Sequence, residues 1–143
     1  MKARIKWLED MTLIGAADSG HAVVMDGPPE LGGHNLGLRP MEMVLLGMGG
    51  CTAIDVLNIL KKARQAVVDC VVELDAERAS TDPKVFTRIQ VHYIVSGRNL
   101  NERQVERAVQ LSAEKYCSAS IMLGKTAAIT HTFELREAIE KSG

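Results

Sequence analysis

Cys51 and Cys117 are the residues of this chain whose type and setting allow redox chemistry. Cys51 follows the glycine-broken run Leu45-Leu46-Gly47-Met48-Gly49-Gly50 and opens the stretch Thr52 to Leu57. Cys117 ends Glu114-Lys115-Tyr116 and precedes Ser118-Ala119-Ser120, whose hydroxyls suit a helix N-cap. Each cysteine is therefore read as standing where a helix begins. The thiolate is the reactive form of cysteine, and the positive end of a helix favours it over the neutral thiol. Two such thiols point to sulfur redox chemistry, although a free cysteine in an apolar helix is often simply a small core hydrophobe. Glu42, the one polar residue from Met41 to Gly50, suits either the dipole of a helix start or service to a thiol.

Strands and two helical blocks must position these residues. Ala3, Ile5 and Trp7 alternate with Arg4 and Lys6, and Met11 to Gly15 can pair back across a turn at Glu9-Asp10. Asp18-Ser19-Gly20 turns the chain into a third strand, His21 to Met25. The Gly- and Pro-rich stretch from Pro28 to Leu38 is a loop and is expected to be mobile. Pro40 suits the first turn of a helix, which is apolar on nearly every side to Gly50 and then resumes with Ala53, Val56, Leu57 and Leu60 on one face. A helix apolar all round needs cover from more than one neighbour, which predicts a dimer. Strands follow over Val67 to Ala76 and Val85 to Val95, with Cys70 in the core-facing phase and so structural. Asn101 caps a helix carrying Val105, Ala108, Val109 and Ser112, and a last strand runs from Ala127 to Leu135 before a short terminal helix, Arg136 to Lys141. His21, His92 and His131 fall in strands and read as packing or surface residues. His34 falls in the loop.

Composition narrows the class. The 143 residues form a single domain of ordinary size, with net charge -1 and pI near 6.4, so there is no electrostatic case for nucleic acid or an anionic membrane. Aromatic residues, at 3%, are too few for a base-stacking surface. The charged, alternating N-terminus is unlike a signal peptide, and no apolar run is read as long enough to span a membrane. A cytoplasmic location is expected. Three cysteines do not make a disulfide scaffold, and the absence of Cys-x-x-Cys and of ligand-spaced histidines argues against structural zinc.

Two signatures carry a family likeness: Pro40-Met41-Glu42-Met43-Val44-Leu45 leading to Gly49-Gly50-Cys51, and Lys115-Tyr116-Cys117-Ser118 before the final strand. With them, over nearly its whole length, the chain resembles the OsmC/Ohr family, and within it the YhfA-like branch. The resemblance implies an α+β fold of antiparallel sheets around central cysteine-bearing helices, in an intertwined homodimer spanning residues 1–143. It also implies a thiol-dependent reductase of organic hydroperoxides. Cys51 would be the peroxidatic thiol and Cys117 the resolving one, with a small hydrophobic hydroperoxide as substrate and a dithiol such as a lipoyl group as reductant. Neither flavin nor metal takes part in that scheme.

The family's activating residues do not map cleanly. Its peroxidases pair the reactive thiol with an arginine from the N-terminal region or the following loop and with a glutamate directly after the motif proline. Here that position is Met41, and the acid is Glu42. On a continuous helix Glu42 lies about 180° around from Cys51, unless the glycines break the helix and re-aim it. Asp18 or a neighbour takes the place of one branch's arginine, and the loop from Pro28 to Leu38 contains none, leaving Arg39 and His34 as nearby substitutes. A guanidinium beside sulfur favours thiolate, so its loss predicts reduced peroxide reactivity. The competing readings are a non-enzymatic binder of a small apolar or thiol-reactive ligand, favoured by the altered arginine and glutamate, and a redox sensor whose disulfide has no turnover.

Overall fold

A computed structural model describes residues 1–139 of the chain as two compact units, one of residues 1–46 and one beginning at Gly47. In the first, Ala3–Glu9 (β1), Thr12–Ala17 (β2) and Ala22–Asp26 (β3) pair as an antiparallel meander. The turn before β3 needs Gly20 at φ 93°, a left-handed conformation that glycine adopts without steric cost. The expected alternation of β1 is present, yet Ile5 and Trp7 remain 56% and 67% exposed. The loop after β3 is tied down where mobility was expected. The buried Asp26 carboxylate accepts the amides of His34 at 2.9 Å and Leu36 at 3.1 Å, and these donors, His34 foremost, hold its pKa below the usual carboxylate range.

Pro40–Lys62 is one helix, α1. Its start follows from local chemistry: Pro40 occupies the first turn, and Glu42 Oε1 accepts the Arg39 amide at 2.8 Å, one half of a capping box. The glycines do not break it. Gly49 instead serves close packing, since a Cβ there would lie 2.7 Å from Leu74 Cδ1 on strand Ala66–Arg78 (β4), whereas Gly47 and Gly50 face open space. Contrary to the sequence expectation, this 23-residue helix is long and apolar enough to cross a membrane by length and composition. A core helix meets the same measure, and Val56 and Leu60 of α1 are fully buried within the chain.

The second unit is built on β4, Phe86–Arg98 (β5) and Ala128–Glu137 (β6), in the order β4-β5-β6. β4 and β5 are antiparallel, as expected, but β6 runs parallel to β5, so this sheet is mixed. The crossover through Glu102–Leu111 (α2), a π turn at Ser112–Tyr116 and Ser118–Leu123 (α3) returns the chain to the end from which β5 started, which makes the pairing parallel. β5 is the core strand, with Ile89, Val91, Tyr93 and Val95 fully buried. α2 begins at the predicted cap, Asn101, whose side chain accepts the Gln104 amide, and buries Val105, Ala108 and Val109. In β4 a register shift between Val67 and Asp69 puts Val68 out of phase and 52% exposed. Arg136 and Glu137 end β6, and Ala138 and Ile139 after them have no regular structure, so none of the four is helical. The rest of the expected terminal helix, from residue 140, lies outside the described residues.

Candidate functional site

Cys51 lies in the interior of α1, not at a helix start. The helix dipole acts mainly at the terminal turns, so it gives this thiol no such assistance. Cys117 is at a helix start and is itself the N-cap of α3, its Sγ accepting the Ser120 amide at 3.3 Å and the Ser120 hydroxyl at 3.0 Å. The fold brings the two cysteines together, and with them a third group: both Sγ atoms and a carboxylate oxygen of Asp55 lie within 4.8 Å of one another. Asp55 stands one turn beyond Cys51, on the same face of α1. Cys51 and Asp55 are half-buried, Cys117 fully buried. Burial raises the Cys117 pKa, the two Ser120 bonds oppose this, and the hydrogen bond and charge of Cys51 raise it again. The result is a resting thiol that keeps its proton.

A buried file of hydroxyls ends at the same carboxylate. Tyr93 Oη and Thr52 Oγ1 are 2.6 Å apart, Thr52 Oγ1 and Ser112 Oγ are 2.8 Å apart, and Ser112 donates to Asp55 Oδ2 at 3.1 Å. One proton per hydroxyl fixes the order. Ser112 gives its proton to the carboxylate and must accept from Thr52, which in turn accepts from Tyr93. Burial pushes the Tyr93 pKa up to about 12, which keeps that phenol a donor. Asp55 is thus oriented from three elements, α1, β5 and the π turn. A cleft of about 230 Å³ lined by Asp55, Asn58, Ile59, Lys62, Leu111 and Tyr116 opens beside it.

The OsmC-like protein family model matches residues 33–132, a span that includes both cysteines and Asp55. The chain belongs to the OsmC-like family. It is 51% identical to Protein YhfA of Escherichia coli K12 over 138 residues, covering 94% of this chain and 98% of YhfA. Among solved structures it is similar to a hypothetical protein from Aquifex aeolicus VF5, with TM-score 0.85 and 28% identity, covering 96% of this chain and 97% of the other. An organic hydroperoxide resistance protein OsmC from Legionella pneumophila has TM-score 0.70 and 17% identity, covering 93% and 95% of the two chains, and so shares the fold. The α+β OsmC-like architecture expected from the two signatures is therefore present.

Against that family background, the remaining candidates are engaged locally. Glu42 is exposed and caps α1 through the Arg39 amide. Since α1 is unbroken, nothing re-aims Glu42 toward the face that carries Cys51. Arg39 contacts Asn35 at 3.4 Å and Glu42 at 3.9 Å, His34 bonds Asp10 at 2.8 Å, and Asp18 accepts the Lys2 amide at 2.9 Å. Cys70 is half-buried in β4 and its pKa is raised, first by burial and then by Asp69, which suits a structural thiol even though a larger cavity, about 520 Å³, opens beside it. Sequence reasoning missed Asp55, Thr52, Ser112 and Tyr93. Only Asp55 had a legible signal, its i,i+4 spacing from Cys51.

Proposed function

We propose that this OsmC-like protein reduces organic hydroperoxides, with Cys51 as peroxidatic and Cys117 as resolving thiol. The observation that carries this reading is the convergence of the two sulfurs, one half-exposed and one fully buried. The Cys51 thiolate attacks the terminal oxygen of ROOH. An S–O bond forms, the O–O bond breaks, and the alkoxide takes a proton and leaves as alcohol. Cys51 is then a sulfenic acid. The Cys117 sulfur attacks it, forming S–S and breaking S–O, and the departing hydroxide leaves as water with the Cys117 proton. A dithiol, for which we favour a lipoyl group, restores both thiols by two exchanges. Similarity to organic hydroperoxide resistance proteins of Legionella pneumophila and Elizabethkingia anophelis supports the substrate class. The working unit in this proposal is a cytoplasmic homodimer, and the substrate is small and apolar.

A second reading, a binder or redox sensor without turnover, is favoured by Met41 standing where the family's peroxidases carry their glutamate and by Glu42 serving instead as the cap of α1. The deciding experiment is turnover of cumene hydroperoxide with reduced lipoyl dithiol, comparing wild type with Cys51→Ser, together with mass spectrometry after limited peroxide. Turnover lost in the variant and a Cys51–Cys117 disulfide in wild type are expected. Negligible wild-type turnover with an intact disulfide would replace the enzyme by the sensor.

A further inference from the structure

Three groups that are anionic when deprotonated, two thiols and a carboxylate, converge at Cys51, Cys117 and Asp55. Among the described residues no ion pair neutralises Asp55. Lys62 lines the cleft beside Asp55 without forming an ion pair with it among the described residues. A site with this charge pattern and soft donors is matched to a thiophilic divalent cation. We propose that the reduced thiol pair and Asp55 bind one zinc ion, and that metal and disulfide are mutually exclusive states of this site.

The geometry supports this in three ways. In a tetrahedral site with Zn–S bonds of about 2.3 Å, sulfurs lie about 3.8 Å apart, so atoms already within 4.8 Å need to move by about 1 Å or less. The outer shell of such a site is present. Asp55 is held by Ser112, itself held by Thr52 and Tyr93, and Cys117 Sγ receives N–H and O–H bonds from Ser120, contacts that stabilise a metal-bound thiolate. The cleft of about 230 Å³ beside Asp55 supplies an entry path and room for a water as fourth ligand. On binding, each coordinating thiol gives up its proton, and no electron is transferred. The ion would hold both sulfurs away from peroxide, a reversible brake on thiol chemistry that is released by chelation. Zinc binding does not depend on hydroperoxide turnover, and the test below uses no peroxide substrate.

Reduced full-length protein is titrated anaerobically with zinc against a chromogenic chelator, with native mass spectrometry for stoichiometry and cobalt(II) for the sulfur-to-metal charge-transfer band. One metal per chain is expected. Asp55→Asn should weaken binding at least about tenfold, and Cys51→Ser or Cys117→Ser at least about a hundredfold with loss of the band. Cys70→Ser should bind within about twofold of wild type. Wild type carrying the Cys51–Cys117 disulfide should bind none, a control that needs no variant to fold. Absence of zinc binding by reduced wild type, undiminished binding by Asp55→Asn, or equal binding by the disulfide form would each overturn the proposal.

Discussion

Replacing Thr52 by valine would sever the hydroxyl file at its middle without changing side-chain shape. Thr52 is fully buried and bonds both Tyr93 and Ser112. In Thr52→Val the Tyr93 hydroxyl becomes a buried donor with no acceptor, a loss of about 1–3 kcal/mol, while Ser112 keeps its own acceptor, Asp55. Tyr93→Phe removes the donor instead and leaves Thr52 still donating to Ser112, so it should cost less, about 0.5–1.5 kcal/mol. The double variant has no orphaned phenol. Its cost should fall short of the sum of the single costs by about 1 kcal/mol or more, the signature of two groups in direct contact. Urea unfolding at fixed protein concentration reads this out. With a slope of about 2 kcal/mol per molar, a loss of about 2 kcal/mol moves the midpoint by about 1 M with the slope unchanged. Thr52→Val within about 0.5 kcal/mol of wild type, or single costs that simply add, would refute the directed file and its hold on Asp55.

Two further expectations concern His131 and assembly. His131 stacks on Tyr93 with ring centroids 6.3 Å apart, its Nε2 is buried with no hydrogen-bond partner among the described residues, and burial lowers its pKa. The unfolded chain then binds a proton near pH 6.5 that the native state does not yet take, so stability falls as pH drops from about 6.5 toward the lowered native pKa. His131→Phe should remove that part of the loss. Equal loss in variant and wild type on urea unfolding at about pH 7.5 and about pH 5.5 would refute it. In the second unit, Ile54 is 71% exposed and Val68 and Val71 are uncovered, apolar surface that a dimer would be expected to cover. Light scattering should give about twice the 15.6 kDa chain mass at micromolar concentration, and a stable folded monomer would count against the dimer.

Sequence by itself determined what depends on neighbours along the chain. Alternation places β4 and β5, Asn101 caps α2, Gly20 makes its turn, and the two motifs around Cys51 and Cys117 identify the family, because each signal is complete within a few residues. Tertiary structure decided the rest. The glycines before Cys51 look like a helix break in isolation, yet Gly49 is the contact that lets α1 approach Leu74, and helix runs through it. That continuity removes Cys51 from any helix start and keeps Glu42 as a cap. β6 runs parallel to β5 where antiparallel sheets were expected, because a crossover of helices can return a strand either way until its docking edge is known. Asp55, Thr52, Ser112 and Tyr93 are ordinary residues of a helix, a turn and a strand. They become a directed line of hydrogen bonds ending at a carboxylate beside two thiols only when segments distant in sequence are packed together, because buried polar groups must find partners wherever the fold puts them.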